Sequence, residues 1–383
     1  MEFVEERAFS ACYFLSKISI PSSIQEFYTG AFSSCNNLTT VDFRGTLEQW
    51  CAISFTGGWS SNYESANPVT FAKSLKINGE TLTNAVIPDT VTKINSYAFY
   101  NCESLTSVTM SDSVTSVGGY AFVGCTGLEN IILSQNLTEI GTYAFKNCSS
   151  LSGTIVIPDG VTEIPNQAFY NCKKLEGITL GNKVTNIGNS AFSDCSALEN
   201  INLPETLTSI SRAAFANCSS LAGTVIIPNG ITVIEPNTFK SCKNIAGVNI
   251  PSSVVTIGEN AFMYCDSISN LEIPDSVTTI GDTAFMGSSD KTSAKSLTSV
   301  TIGSGVTRIG HLAFSNQPNL TDVTFSDTES EWYFYSAPQE VSNYDYTGGT
   351  EIGTMSATDT AENATKLKTY TAGYLYNSKY TAE

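Results

Sequence analysis

Eleven cysteines, one histidine and 36 aspartates and glutamates are the chemically versatile residues of this 383-residue chain. Ten of the thiols share a context: Cys12, Cys35, Cys102, Cys125, Cys148, Cys172, Cys195, Cys218, Cys242 and Cys265 each stand three residues after a phenylalanine, and only Cys51 does not. No pair has the C-x-x-C spacing of a zinc ribbon. If successive copies stacked, neighbouring cysteines would come within reach of disulfide geometry, and an extracellular setting would favour oxidation. Against that, a cysteine also fills a small apolar slot as a free thiol. The last two copies carry Ser288 and Gln317 in the slot without losing register, which favours free, buried thiols.

His311 lies in Ile309-Gly310-His311-Leu312-Ala313-Phe314, a variable slot that reads as surface. One histidine leaves a serine or cysteine nucleophile a single candidate histidine base. No nucleophile elbow, phosphate-binding loop or dinucleotide turn is present. Asp89, Asp159 and Asp275 directly follow prolines, where carboxylates form turns. No catalytic, cofactor-binding or metal residue is assigned, and the expectation is a non-enzyme. The charge balance of 19 basic against 36 acidic residues gives −17, which disfavours nucleic acid and anionic membrane surfaces. No apolar run is long enough to insert in a membrane, and the opening MEFVEERAF lacks the apolar core of a signal peptide.

The elements that would position these residues follow from a repeat. Ala-Phe or Thr-Phe recurs at Phe9, Phe32, Phe99, Phe122, Phe145, Phe169, Phe192, Phe215, Phe239, Phe262, Phe285 and Phe314, and nine of the eleven intervals are 23 or 24 residues. Within residues 91–110, Val108 and Met110 alternate as in a strand with one buried face. Proline often ends that strand, as at Pro204 and Pro274. Val-Thr-x-Ile follows, then frequently a glycine suited to a bend. Ala-Phe-x-x-Cys-x-x-Leu has the three- and four-residue apolar spacing of a single helical turn. One such unit cannot bury its apolar residues alone, but stacked coils can. The phenylalanines then form a spine, the strands a parallel sheet, and crossover chirality favours a right-handed coil.

The pattern V-T-x-I-G-x-x-A-F-x-x-C-x-x-L-x-x-V-x-I-P, seen at Val254, Ile257, Gly258, Ala261, Phe262, Cys265, Ile268, Leu271, Ile273 and Pro274, resembles the leucine-rich repeats of BspA-like surface proteins. The resemblance implies a curved right-handed leucine-rich-repeat solenoid of short parallel strands with helical or 3-10 turns. It also implies secretion or surface display, and adhesion or recognition without catalytic residues.

Four segments are expected: repeats over 1–43, an insert over 44–83, repeats over 84–325, and a cap or tail over 326–383. The first copy opens inside the pattern, which reads as a trimmed start with a leader removed. In the insert, Asn78-Gly79 between Leu75, Ile77 and Leu82 signals a hairpin. Residues 357–368 suit a short helix and 370–376 a strand. Phe43 and Trp50 share the spacing of Phe325 and Trp332, an exit device used twice.

The candidate contact residues are outward strand positions: Asp42, Thr109, Ile132, Val156, Thr179, Asn202, Ile226, Asn249 and Glu272. Trp59 and Tyr63 of the insert are added as an aromatic platform. Tyr97, Tyr120 and Tyr143 occupy one column and should stack as a ladder. The expected protein is a monomeric, extracellular or surface module that binds a protein or glycan; the alternative is a passive spacer for an adjoining domain.

Overall fold

The computed structural model describes residues 2–56, 66–289, 296–336, 351–355, 358–369 and 373–377. The chain divides into two units, Met1–Val184 with Ala191–Leu198, and Thr185–Ser190 with Glu199–Glu383. Each is a parallel-strand solenoid built from the 23-residue coil.

In the first unit, the strands Asn84–Ile87, Ser107–Met110 and Asn130–Ile132 pair in parallel, with Val108 opposite Ala85 and Ile131. Val108 and Met110 are buried and Thr109 faces out, as period-two alternation requires. A second ladder, not anticipated from the sequence, joins the two-residue strands Lys93–Ile94, Ser116–Val117 and Glu139–Ile140. Its isoleucines and valine point into the core and its threonine-flanked positions out.

The Ala-Phe-x-x-Cys segment is not a helical turn. Its N–H groups alternate in direction. Those of Tyr97, Phe99 and Asn101 donate to Gly119, Ala121 and Val123 of the next coil at 3.2, 2.8 and 2.7 Å. Those of Tyr100 and Cys102 close tight turns onto Tyr97 and Phe99, three residues back. The alternation places a left-handed residue two before and two after the phenylalanine: Tyr97 has φ +64° and Asn101 +56°, and the pair recurs at Tyr120 and Gly124, and at Tyr143 and Asn147. Left-handed backbone costs an L-residue roughly 1–2 kcal/mol, least for Asn and Gly, so the asparagines at Asn101, Asn147, Asn171 and Asn217 have a backbone role. Apolar spacing over one turn does not distinguish a helical turn from this chain of tight turns.

The glycine after Val-Thr-x-Ile serves close approach rather than a bend. A Cβ on Gly281 would lie 2.6 Å from the Glu259 nitrogen, so the backbones of adjacent coils nearly touch there. The phenylalanine rings stack: Phe99 on Phe122, Phe122 on Phe145 and Phe145 on Phe169, with centroids 5.1, 5.3 and 5.2 Å apart.

The stretch between Phe32 and Phe99 enters the coil architecture. Ser54–Phe55 pairs with Glu26–Phe27, and Leu75–Ile77 with Thr40–Arg44. Leu75–Ile77 then turns through Asn78-Gly79 into the antiparallel strand Glu80–Thr81, the hairpin expected from Asn-Gly. Helix α1 (Leu47–Ala52) starts with a capping box between Thr46 and Gln49; helix α2 is Val69–Ala72. Trp50 of α1 is fully buried, and its indole N–H donates to Ala98 O at 2.9 Å. Asn67 donates to the same oxygen at 3.2 Å. In regular coils that acceptor receives the N–H of the preceding phenylalanine; here two side chains satisfy it.

In the second unit, Gly223–Ile226 pairs with Ile245–Asn249, and Asn270–Ile273, Ser299–Ile302 and Asp322–Phe325 form a parallel sheet. Rings Phe215, Phe239, Phe262, Phe285 and Phe314 stack at 5.3–5.4 Å. After Phe325 the chain changes character. Gly373–Asn377 runs antiparallel to Arg308–Ile309, followed outward by Trp332–Ser336 and Glu351–Met355. Helix α3 (Thr360–Thr369) buries Leu367, and Lys368 donates to Leu320 O. The Phe43–Trp50 and Phe325–Trp332 rings both meet, at 5.3 and 4.9 Å, although one tryptophan sits in a helix and the other in a strand.

Candidate functional site

The cysteine column is structural. All eleven cysteines are free, and all but Cys12 are buried. Several thiols in register are placed to donate to the phenylalanine carbonyl of the preceding coil: Cys125 to Phe99, Cys148 to Phe122, Cys172 to Phe145 and Cys265 to Phe239, at 3.0–3.2 Å. Gln317, standing in the same slot, sends its amide to Phe285 O at 2.6 Å, the same donor role in different chemistry. Burial pushes the Cys51 and Cys102 thiols up to about 12 and raises Cys148, Cys172, Cys242 and Cys265 as well. A buried thiol so hard to ionise is a poor nucleophile.

His311 sits half-buried in a turn, where its backbone N–H donates to Asp282. Among the described residues no three His, Cys, Asp or Glu side chains cluster as a metal site would need. No described helix is long and apolar enough to cross a membrane. Asp275 accepts the Ser304 N–H at 2.7 Å, and that bond, reinforced by the serine hydroxyl, holds its carboxyl below the usual range. Asp112 and Asp159 likewise accept the backbone N–H groups of Gln135 and Asn182, so these post-strand carboxylates staple one coil to the next.

The tyrosine ladder exists: Tyr97 stacks on Tyr120 at 4.8 Å and Tyr120 on Tyr143 at 4.7 Å. Its ends are closed by Tyr100 and by the Lys146 ammonium over Tyr143 and Tyr170. Burial, with the neighbouring phenols Tyr120 and Tyr100, raises Tyr97 to about 12. The ring faces are consumed by one another, which suits a structural ladder.

The outward strand positions remain. In the first unit Thr109, Ile132, Val156 and Thr179 are exposed, with Thr109 opposite Ile132 and Val156 opposite Thr179 in register. Val86, absent from the sequence-derived column, stands opposite Thr109 and is 69% exposed, beside 52% for Ile132 and 55% for Val156. In the second unit Asn202, Ile226, Asn249 and Glu272 are exposed. Asp42 is a correction: it is only 8% exposed. Its carboxylate accepts the Gly79 N–H at 2.8 Å and pairs with Arg44 at 2.7 Å, because the Asn-Gly hairpin folds over it. Trp59 and Tyr63 lie outside the described residues; Trp50 and Phe55 of the same insert are core.

Two ladders of parallel strands, a stacked phenylalanine spine and a column of outward strand positions define a leucine-rich-repeat solenoid. The chain belongs to the BspA type leucine-rich repeat region family, whose model matches residues 1–76, 73–196, 162–292 and 222–341. A leucine-rich repeat protein from Bacteroides ovatus is similar in structure, 24% identical over 85% of this chain and 82% of its own, with a TM-score of 0.55. One from Eubacterium ventriosum is 23% identical over 75% and 80%, with a TM-score of 0.52. A leucine rich cell surface protein from Faecalibacterium prausnitzii is 27% identical over 64% and 88%, with a TM-score of 0.35. No curated protein matches the chain in sequence.

Proposed function

We propose that this is a non-enzymatic recognition or adhesion protein, secreted or displayed at the cell surface, that binds another protein through the outward face of its strands. Membership of the BspA-type family supports surface display and interaction. The right hand of the coil follows from the crossover rule.

The observation that carries the reading is in the first unit: Val86 and Ile132 on one sheet, and Val156 on the sheet of the following coils, expose branched apolar side chains at outward strand positions. Folding gains nothing from leaving them in water, whereas covering them gains about 25 cal/mol per Å². The column holds no Trp, Tyr or Arg, the usual hot-spot residues, so each contact is weak and affinity rests on many of them.

Probing arrays of extracellular proteins and glycans at about micromolar concentration tests the reading. Wild type should bind a protein spot that an Ile132→Asp/Val156→Asp variant of unchanged melting temperature does not. Glycan-only binding, identical binding by the variant, or no binding at all would overturn it.

A further inference from the structure

On the sheet face of the second unit, the strands Ile245–Asn249 and Asn270–Ile273 belong to consecutive coils, yet no ladder bonds join them. Ile245–Asn249 pairs on its other side with Gly223–Ile226 through an irregularity at Gly223/Thr224, a device that adds twist and ends pairing. Asn270–Ile273 pairs regularly with Ser299–Ile302. Where the pairing lapses, a groove of about 510 Å³ opens, lined among others by Asn249, Asn270, Leu271, Glu272, Ser299 and Thr301.

The polar groups of this groove differ in how far they are committed. Asn270 accepts the Ser299 hydroxyl at 2.7 Å and the Thr298 hydroxyl at 3.2 Å, so its carbonyl is occupied. Glu272 is exposed and, among the described residues, in no ion pair. It is the one charged residue of the lining, in a chain of net charge −17. None of the lining residues is aromatic, so a sugar ring would find no face to stack on.

We propose that this groove binds an extended segment of a partner protein bearing a lysine or arginine. The segment lies across the outward face of these strands, and its cation meets Glu272. The negative field of the chain raises the encounter rate of such a basic segment. The proposal rests on the reading that outward strand positions are recognition positions, and it names the partner chemistry for one of them.

Fluorescent peptides of alternating threonine and valine, with a central Arg, Gln or Glu, test it by anisotropy on the full chain. The Arg peptide should bind best, more tightly at low salt, and the Gln peptide about fivefold less well, the scale of one exposed ion pair. Glu272→Gln should weaken the Arg peptide about fivefold and erase its advantage over Gln. Thr301→Lys, whose ammonium would stand opposite Glu272 in register, should weaken it too. Equal binding of the three peptides, an Arg advantage retained in both variants, or no Arg-peptide binding at about 1 mM would overturn the proposal. The broader reading is scored separately: an array partner lost by Ile132→Asp/Val156→Asp but kept by Glu272→Gln preserves recognition and removes the groove.

Discussion

Replacing Phe145 by alanine tests the stacked core quantitatively. The ring is fully buried, and it lies on Phe122 at 5.3 Å and on Phe169 at 5.2 Å. Truncating a core phenylalanine costs about 3–5 kcal/mol, and each aromatic pair carries about 0.5–1.5 kcal/mol beyond its area. With two pairs lost and coils on both sides holding the cavity open, the upper end is expected, about 4–5 kcal/mol. Phe9 is the internal control: it is half-buried and stacks on one described ring, Phe32, so Phe9→Ala should cost about half as much, ~2 kcal/mol. Urea denaturation read by circular dichroism gives both values, and hydrogen exchange localises them. Because coils interact with their neighbours, the Phe122 and Phe145 amides, bonded to Ala144 and Ala168, should lose protection while the Phe239 amide, bonded to Ala261, keeps it. A Phe145→Ala penalty below about 1 kcal/mol, or one no larger than that of Phe9→Ala, would refute the spine.

The thiols make the fold sensitive to alkali. The folded pKa values of Cys51 and Cys102 are raised to about 12, so their contribution is complete below about pH 9 and declines as pH climbs toward 12. The slope should be about 1.4 kcal/mol per pH unit for each such thiol; pH-titrated urea midpoints that stay flat across that window would contradict the buried assignment. Asp275 acts in the opposite direction: its folded pKa is lowered, so its contribution is present above the carboxylate range and lost as pH falls through the folded value. The melting-temperature gap between wild type and Asp275→Asn should therefore close below about pH 4, and a gap constant with pH would count against the staple. Gln317→Ala removes a donor to Phe285 and an acceptor for the Leu297 N–H, leaving buried groups unsatisfied at about 1–3 kcal/mol each. Gln317→Cys should recover part of that loss through a thiol bond to Phe285, and equal destabilisation by both variants would show that the slot needs only volume.

Much of this architecture is legible in the residue pattern because repetition multiplies weak signals. A 23-residue period and alternation such as Val108/Met110 locate the strands, and the Ala-Phe column locates the core. Features that depend on a neighbouring coil are harder to read. The two-residue strands at Ile94, Val117 and Ile140 are too short for any periodicity to register. The turn around Phe99 carries helical spacing, and only the recurring asparagine two residues later, at Asn101, Asn147 and Asn171, hints at left-handed backbone. Trp50 replaces a backbone donor with an indole, which no spacing rule anticipates. At the candidate surface, the column from Thr109 to Glu272 faces outward as alternation dictates. Asp42 does not, because the hairpin at Gly79, 37 residues further on, closes over it; the Asn78-Gly79 signal is visible in the sequence, its landing place is not. Val86 was missed because it follows the insert, where the count of coils restarts.

Hydroxyl-radical footprinting of the protein with its array partner tests the central claim most directly, because it reads side-chain cover face by face. Recognition through the outward strand positions predicts that Val86, Ile132 and Val156 lose reactivity on binding while Tyr97, Tyr120 and Tyr143 keep theirs. Protection confined to the tyrosine ladder, with the three aliphatic residues as reactive as in the free protein, would contradict it.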